Sequence, residues 1–214
     1  MANNINNQPE ISTLRLRLRP YTKDLVEKYH SWMLDPWLLE MTASEPLSLE
    51  EEYKAQEEWL RDSNKQTFII FDKGVQDEQQ LSEDECSNVS GMCGDVNLFL
   101  MDEDASESYA LTAESAAPVK AAEIMIMIAE SWARGKGYAK EAVRAMMSYG
   151  VRARGIRRFV AKIDDTNLTS LGLFASLGFR VAKKMPHFGE THLSLDITSE
   201  IEEDVNSSIT TLQL

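Results

Sequence analysis

Residues 122–142 (Ala-Glu-Ile-Met-Ile-Met-Ile-Ala-Glu-Ser-Trp-Ala-Arg-Gly-Lys-Gly-Tyr-Ala-Lys-Glu-Ala) constrain the fold more than any other segment. An apolar run of strand composition passes through a short turn into a glycine-bearing helix start, which puts the end of a sheet strand against a helix N-terminus. Free main-chain N–H groups and the positive end of a helix dipole suit phosphate oxygens, and Gly135 and Gly137 let an anion come close. Arg134 and Lys136 add full charges. The same string also serves as an ordinary helix start, and on its own it does not separate the two readings. A Walker A loop needs Ser or Thr after Gly-Lys, but Gly137 follows Lys136. A dinucleotide fingerprint needs a small residue where Lys140 stands and an acid closing a strand about 20 residues on, and neither is present.

With 214 residues, 43% of them hydrophobic, the chain suits one domain and one core. No apolar run approaches the roughly 20 residues that span a bilayer, and the polar opening residues do not read as a secretory leader, so a cytoplasmic protein without membrane contact is expected. The cysteines, Cys86 and Cys93, lie far from any His pair, and neither a disulfide framework nor a metal site is expected. Between Ser131 and Lys184 twelve Lys or Arg face three acids, a balance of +9 that leaves −22 on the rest of this −13 chain. A polyphosphate ligand would be drawn to the basic part, and the acidic remainder favours a cationic substrate over nucleic acid. Each arginine of the 152–158 cluster also reads as a solvated helix end or strand start.

Alternation over Leu14–Arg19 predicts a first strand, and Thr22 an N-cap for a helix carrying Leu25, Val26, Tyr29, Trp32 and Met33 up to Asp35-Pro36. Ser48 and Glu51 spell a capping box opening a second helix, with Tyr53, Gln56, Trp59 and Leu60 along one face. Trp32, Trp37 and Trp59 are expected in the core. Strands follow at 67–71, 93–100 and 123–128, then a helix at 138–151, a strand at 158–163, a helix at about 168–176, and strands at 179–183 and 192–197. Residues 72–90 and 102–118 are acidic insertions without periodicity, 1–13 a flexible N-terminus, and 198–214 an acidic, disordered tail.

Arg134-x-x-Gly137-x-Ala139 resembles the acetyl-CoA pyrophosphate loop of the Gcn5-related N-acetyltransferase (GNAT) superfamily. The segment from Asn167 through Ser170 and Phe174 to Leu177-Gly178-Phe179 resembles its Asn-x-x-Ser…Leu-Gly-Phe motif. Residues 42–53, 94–100, 123–130 and 148–150 look like the N-acetyltransferase 9-like family, with the likeness running from about Leu14 to Ile197. The resemblance implies a single α/β (α+β) domain spanning 14–197, with a central mixed, mostly antiparallel sheet of six to seven strands flanked by about four helices. It implies acetyl-CoA as co-substrate, no metal, and direct transfer in a ternary complex to a protein N-terminal α-amine. The acceptor would be α- or β-tubulin, and the enzyme a monomer. Other readings are acetylation of a small amine or lysine, and a non-catalytic acetyl-CoA-binding or microtubule-associated protein.

By the same resemblance, main-chain groups of Met127, Ile128 and Ala129 would meet the pantetheine arm and thioester. The loop from Arg134 through Gly135, Lys136, Gly137 and Tyr138 to Ala139 would hold the diphosphate, while Asn167, Ser170 and Phe174 border the cofactor. Glu123 stands where members keep a general base, and it also reads as a solvent-exposed strand start or an ammonium ligand. Asp95, Asn97 and Glu45 are expected on the substrate side. Many members place a tyrosine, as general acid toward the thiolate, where Phe174 stands, so Ser170 or Tyr138 is left as a substitute. Asn167 equally suits a helix N-cap, and His187 and His192 read as surface or packed residues.

Overall fold

Alternating and continuous apolar runs lay down strands that cannot bury both faces alone, and the helices between them supply the cover. A computed structural model describes residues 9–75, 88–102, 106–111 and 119–213. The bulk of the insertion expected at 72–90, with Cys86, lies outside them, as do 103–105 and 112–118 of the second insertion. In chain order the strands are β1 (Glu10–Ser12), β2 (Leu16–Pro20), β3 (Lys65–Asp72), β4 (Met92–Leu100), β5 (Ala121–Ile128), β6 (Arg158–Asp164), β7 (Arg180–Met185), β8 (Glu190–Asp196) and β9 (Thr211–Gln213). The helices that matter here are α1 (Val26–Trp32), α2 (Pro36–Thr42), α3 (Leu49–Arg61), α4 (Tyr138–Arg154), α5 (Leu168–Ser176) and α6 (Ser199–Ser207).

One nine-stranded sheet runs β7-β8-β6-β5-β4-β3-β2-β1-β9. Among the described residues its single parallel pair is β5–β6 and every other pair is antiparallel, the mixed sheet expected, with nine strands instead of six to seven. The two extra strands come from ends expected to be loose. Glu10–Ser12 pairs with both β2 and Thr211–Gln213, and Ile11 is fully buried. The tail folds as α6, with Thr198 as N-cap, and Arg144 and Arg157 hold Asp204 and Glu202. Val205 seals an apolar seam that the acidic composition hides.

Other departures have local causes. Leu14 is exposed in a turn and the strand starts at Leu16. Thr22 precedes a 3₁₀ turn (Lys23–Leu25) and makes no side-chain cap. Asp35-Pro36 does not only end a helix: Asp35 accepts from the Trp37 N–H and Pro36 occupies the first turn, so α2 begins there. The Ser48/Glu51 box forms, but Leu60 is exposed and Glu52 takes the buried side of α3 beside Gln56.

The sheet separates two cores. Leu16, Leu18, Phe68, Val96, Leu98 and Ile124 pack beneath α4, and on the other face Ile69, Phe71 and Met127 pack against Tyr29 and Trp32 of α1. Because side chains alternate along a strand, Asp95 and Asn97, between and beside the inward Val96 and Leu98, project to the α1 face. In β5 Glu123, Met125 and Met127 share that face, opposite Phe99, Asn97 and Asp95.

Candidate active site

The parallel β5–β6 ladder holds only from Ala121–Glu123 to Arg158–Val160, while β5 runs on to Ile128 and β6 to Asp164. Beyond Glu123 the two strands diverge and leave the main-chain edge of 124–128 facing a gap. A bulge closes β5: the N–H groups of Ala129 and Glu130 both donate to the Cys93 carbonyl, at 2.9 and 3.2 Å. Gly94 makes room for this turn of the chain, since a Cβ there would lie 2.0 Å from the Met127 carbonyl oxygen.

The glycine loop follows. Gly135 and Gly137 both sit in the left-handed region, at φ +72° and +80°, and Gly137 caps the 17-residue α4. Among the described residues the N–H groups from Gly135 to Lys140 have no main-chain acceptor. This is a concave donor array with a dipole behind it. The Arg134 guanidinium, expected at the anion, bonds the Ile128 and Ala129 carbonyls at 3.0 and 2.6 Å and lies 4.3 Å over the Trp37 ring. It braces the bulge to the loop and pins α2 across the cleft. Trp37, expected in the core, is 47% exposed there. Lys136 Nζ lies 5.1 Å over the Trp132 ring.

A cation from a distant part of the chain joins the loop. Arg15 donates to the Lys136 carbonyl at 2.8 Å, pairs with Glu141 at 2.6 Å and stacks 4.9 Å over Tyr138. Sequence reading treats it as one charge in an alternating strand, and nothing local marks its role. The Tyr138 hydroxyl donates to Asp72 at 2.6 Å. Burial and the Asp72 carboxylate push it up to about 12, so it is a poor proton donor to a thiolate.

Two cavities meet at the gap. One, of about 750 Å³, is lined by Trp37, Ile128, the glycine loop and the start of α5. The second, of about 290 Å³, is lined on the α1 face by Tyr29, Trp59, Lys65, Asp95, Asn97 and Lys162 among others. Met41, Thr42, Ile126, Met127, Asn167 and Ser170 border both. Asn167 forms the N-cap, its Oδ1 accepting from the Ser170 N–H at 3.0 Å, so helix capping and a place at the junction coexist. Ser170 stands at the junction. Phe174, which lines the second cavity, packs edge-on against Phe179 at 5.0 Å and offers no hydroxyl.

Carboxylates distinguish the second cavity. Asp95, 3% exposed, accepts on Oδ2 from Asn97 Nδ2 at 2.7 Å and from the Tyr29 hydroxyl at 3.3 Å, and Thr67 closes the chain by donating to Asn97 at 2.5 Å. Burial pushes its carboxyl up to about 6, against those hydrogen bonds and the pull of Lys65. Lys65 Nζ sits 3.0 Å over the Trp59 ring, and burial brings it down to about 8. Glu123 is not part of this cavity's lining; its carboxylate is bonded by Lys162, which is, at 2.6 Å. Glu45 is exposed just past Ser44, the last residue of α2's exit turn to border the cavity. His192 is packed, between Glu190 at 2.9 Å and the Tyr109 hydroxyl at 3.2 Å, while His187 is exposed. Cys93 is buried, its thiol pushed up to about 12 by that burial. Among the described residues no three His, Cys, Asp or Glu gather as metal ligands, and no helix is long and apolar enough to cross a membrane.

Residues 15–180, which hold the splayed strand pair, the bulge and the glycine loop at a helix start, match the family described as Acetyltransferase (GNAT) domain, and the class of protein is thereby an acetyltransferase. A protein of Nematostella vectensis named N-acetyltransferase 9-like protein is 41% identical, over 90% of this chain and 88% of its own. The human Alpha/beta-tubulin-N-acetyltransferase 9 is 41% identical, over 85% and 80%. Among solved structures, a ribosomal L7/L12 alpha-N-protein acetyltransferase in complex with coenzyme A shares the fold at a TM-score of 0.62 and 18% identity, covering 88% of this chain and 98% of that one. The chain belongs to the N-acetyltransferase 9-like family of GNAT acetyltransferases.

Proposed function

We propose that the chain transfers an acetyl group from acetyl-CoA to the α-amine of a protein N-terminus, with both substrates bound at once. The observation that carries this reading is the junction of the two cavities at Met127 and Ser170. The larger cavity and its donor array suit a diphosphate with a long flexible arm. The smaller one offers carboxylate and aromatic surface to an amine. The names of the relatives favour α- and β-tubulin as acceptors.

An α-amine with a pKa near 8 is about a tenth neutral at pH 7, whereas a lysine near 10.4 is neutral at well under one part in a thousand. A carboxylate whose affinity for protons has risen toward 6 suits the first of these. The thiolate, with a cysteine-like pKa near 8.5, leaves without an acid at Phe174.

Thiol release measured with acetyl-CoA and a panel of peptides tests the reading. Turnover on free α-amines, including tubulin N-terminal peptides, and none on α-blocked lysine peptides is expected. Turnover confined to lysine or to small amines would move the acceptor class. Tight acetyl-CoA binding without turnover on any amine would make the protein a binding module.

A further inference from the structure

We propose that Asp95 is the proton acceptor for the incoming amine and that Tyr29 is its positioning residue. This rests on the acetyltransferase reading above and assigns its base to a strand that precedes the cofactor strand.

The placement argues for it. Donor and acceptor substrates meet where the cavities share their lining, at Ile126, Met127, Asn167 and Ser170. In the β4–β5 register Asp95 is the direct cross-strand partner of Met127 and projects into the acceptor cavity. Glu123 lies four residues back along β5, roughly 13 Å away at strand rise, opposite Phe99. Its carboxylate is already engaged by Lys162 at 2.6 Å. Among the described residues the two side chains that donate to Asp95, Asn97 and Tyr29, both reach Oδ2, its own main-chain N–H adds a further bond to the carboxylate, and no side chain donates to Oδ1, the oxygen that would meet an N–H of the substrate.

The titratable groups around it come from several elements, among them the buried Glu52 of α3, which acts on both Tyr29 and Lys65 and has His30 at 3.9 Å. Tyr29 arrives from α1, Tyr21 stands behind it with ring centroids 4.8 Å apart, and Lys65 comes from β3. Glu40 of α2, Lys162 and Asp164 of β6 and Glu190 of β8 line the same cavity farther out. Lys65 favours the carboxylate and burial opposes it, with burial the larger.

In the step, Asp95 takes one proton from the acceptor ammonium. The freed lone pair forms a C–N bond at the thioester carbonyl carbon. As the tetrahedral centre collapses the C–S bond breaks with its electron pair going to sulfur. The thiolate takes up the proton that the new amide nitrogen sheds, and Asp95 returns its own to solvent. One ammonium and one thioester give one amide, one thiol and one proton.

The test compares Asp95→Asn, Glu123→Gln and Tyr29→Phe in the full chain, by steady-state rates on the best peptide from pH 5 to 9 and by acetyl-CoA calorimetry. General-base loss predicts that Asp95→Asn lowers kcat by about 100-fold or more with acetyl-CoA affinity unchanged. Its rate should climb steadily with pH and recover on a hydroxylamine-type acceptor that is already neutral, a rescue that misfolding would not allow. Tyr29→Phe removes a bond donated to the carboxylate, so the acidic limb of its profile should move up in pH. Glu123→Gln, which releases Lys162 at the cavity rim, should lose far less kcat than Asp95→Asn and keep the acidic limb of the profile in place. Near-normal kcat in Asp95→Asn, or a large loss in Glu123→Gln alone, overturns the assignment while leaving the enzyme reading intact. No turnover by the unmodified protein on any amine overturns both.

Discussion

Asp95 carries its charge where burial opposes it, and stability should record that. Folded, it keeps its proton up to about pH 6, whereas an unfolded aspartate releases it near 3.9. Between those values the folded chain binds the extra proton, so stability falls as pH rises and stays reduced above 6. Asp95→Asn should therefore be more stable than the unmodified protein at neutral pH, by on the order of 2 kcal/mol, with the gain fading toward pH 4. Denaturant midpoints of the two proteins at pH 4 and 8 check this, and a variant less stable at both would contradict it. Gly135 offers a second test. At φ +72° with open space where a Cβ would sit, Gly135→Ala should lose about 1 kcal/mol of stability to backbone strain. On the proposed reading it should also bind acetyl-CoA about tenfold more weakly by calorimetry, since an added Cβ would hold the diphosphate off the loop. Residue by residue, legibility depended on locality. The glycine loop and Asn167 could be named because each acts within a few positions of its neighbours. Arg15 carries no such signal, because it reaches the loop across about 120 positions of chain, and Arg134 reads from sequence as a charge for an anion although the Ile128 and Ala129 carbonyls take its guanidinium.

Elements with a local signal at both ends were readable. The Ser48/Glu51 box opens α3, and α5 runs over 168–176 as its apolar composition and Asn167 cap suggest. α2 has no separate signal because Asp35-Pro36 reads as a helix end, although the same pair is a helix start when the aspartate faces the following N–H. The tail escaped because four acids in 199–204 outweigh its few apolar residues in any window, yet Ile201, Val205, Ile209 and Leu212 pack on the core from one side. That packing can be measured. A chain stopped after Thr198 loses the Val205 contact, the strand beside Ile11 and the partners of Arg144 and Arg157. Its unfolding free energy should drop by on the order of 2–3 kcal/mol, from apolar burial alone. An unchanged denaturant midpoint would mean that α6 and β9 add nothing to the fold.

At the level of the whole molecule, the order of strands and helices carried the architecture, and the single parallel pair is what shapes it. Antiparallel neighbours on either side hold β5 and β6 along their lengths, while the pair itself joins over three positions and then opens. No composition or period signals where a ladder stops, so the gap, and with it the choice between Glu123 and Asp95, becomes visible only in three dimensions. Asp95 faces Met127, which borders both cavities, because β4 is threaded beside β5, not because of its neighbours in sequence.

The shared wall at Met127 gives this protein two separate entrances to one spot. A single molecule able to come in by both, coenzyme A tethered through an acetyl bridge to the nitrogen of an acceptor peptide, would hold its second half captive once the first had docked. Calorimetry should find that conjugate bound at least a hundred times more tightly than the peptide alone, and equal affinities would mean the entrances never join.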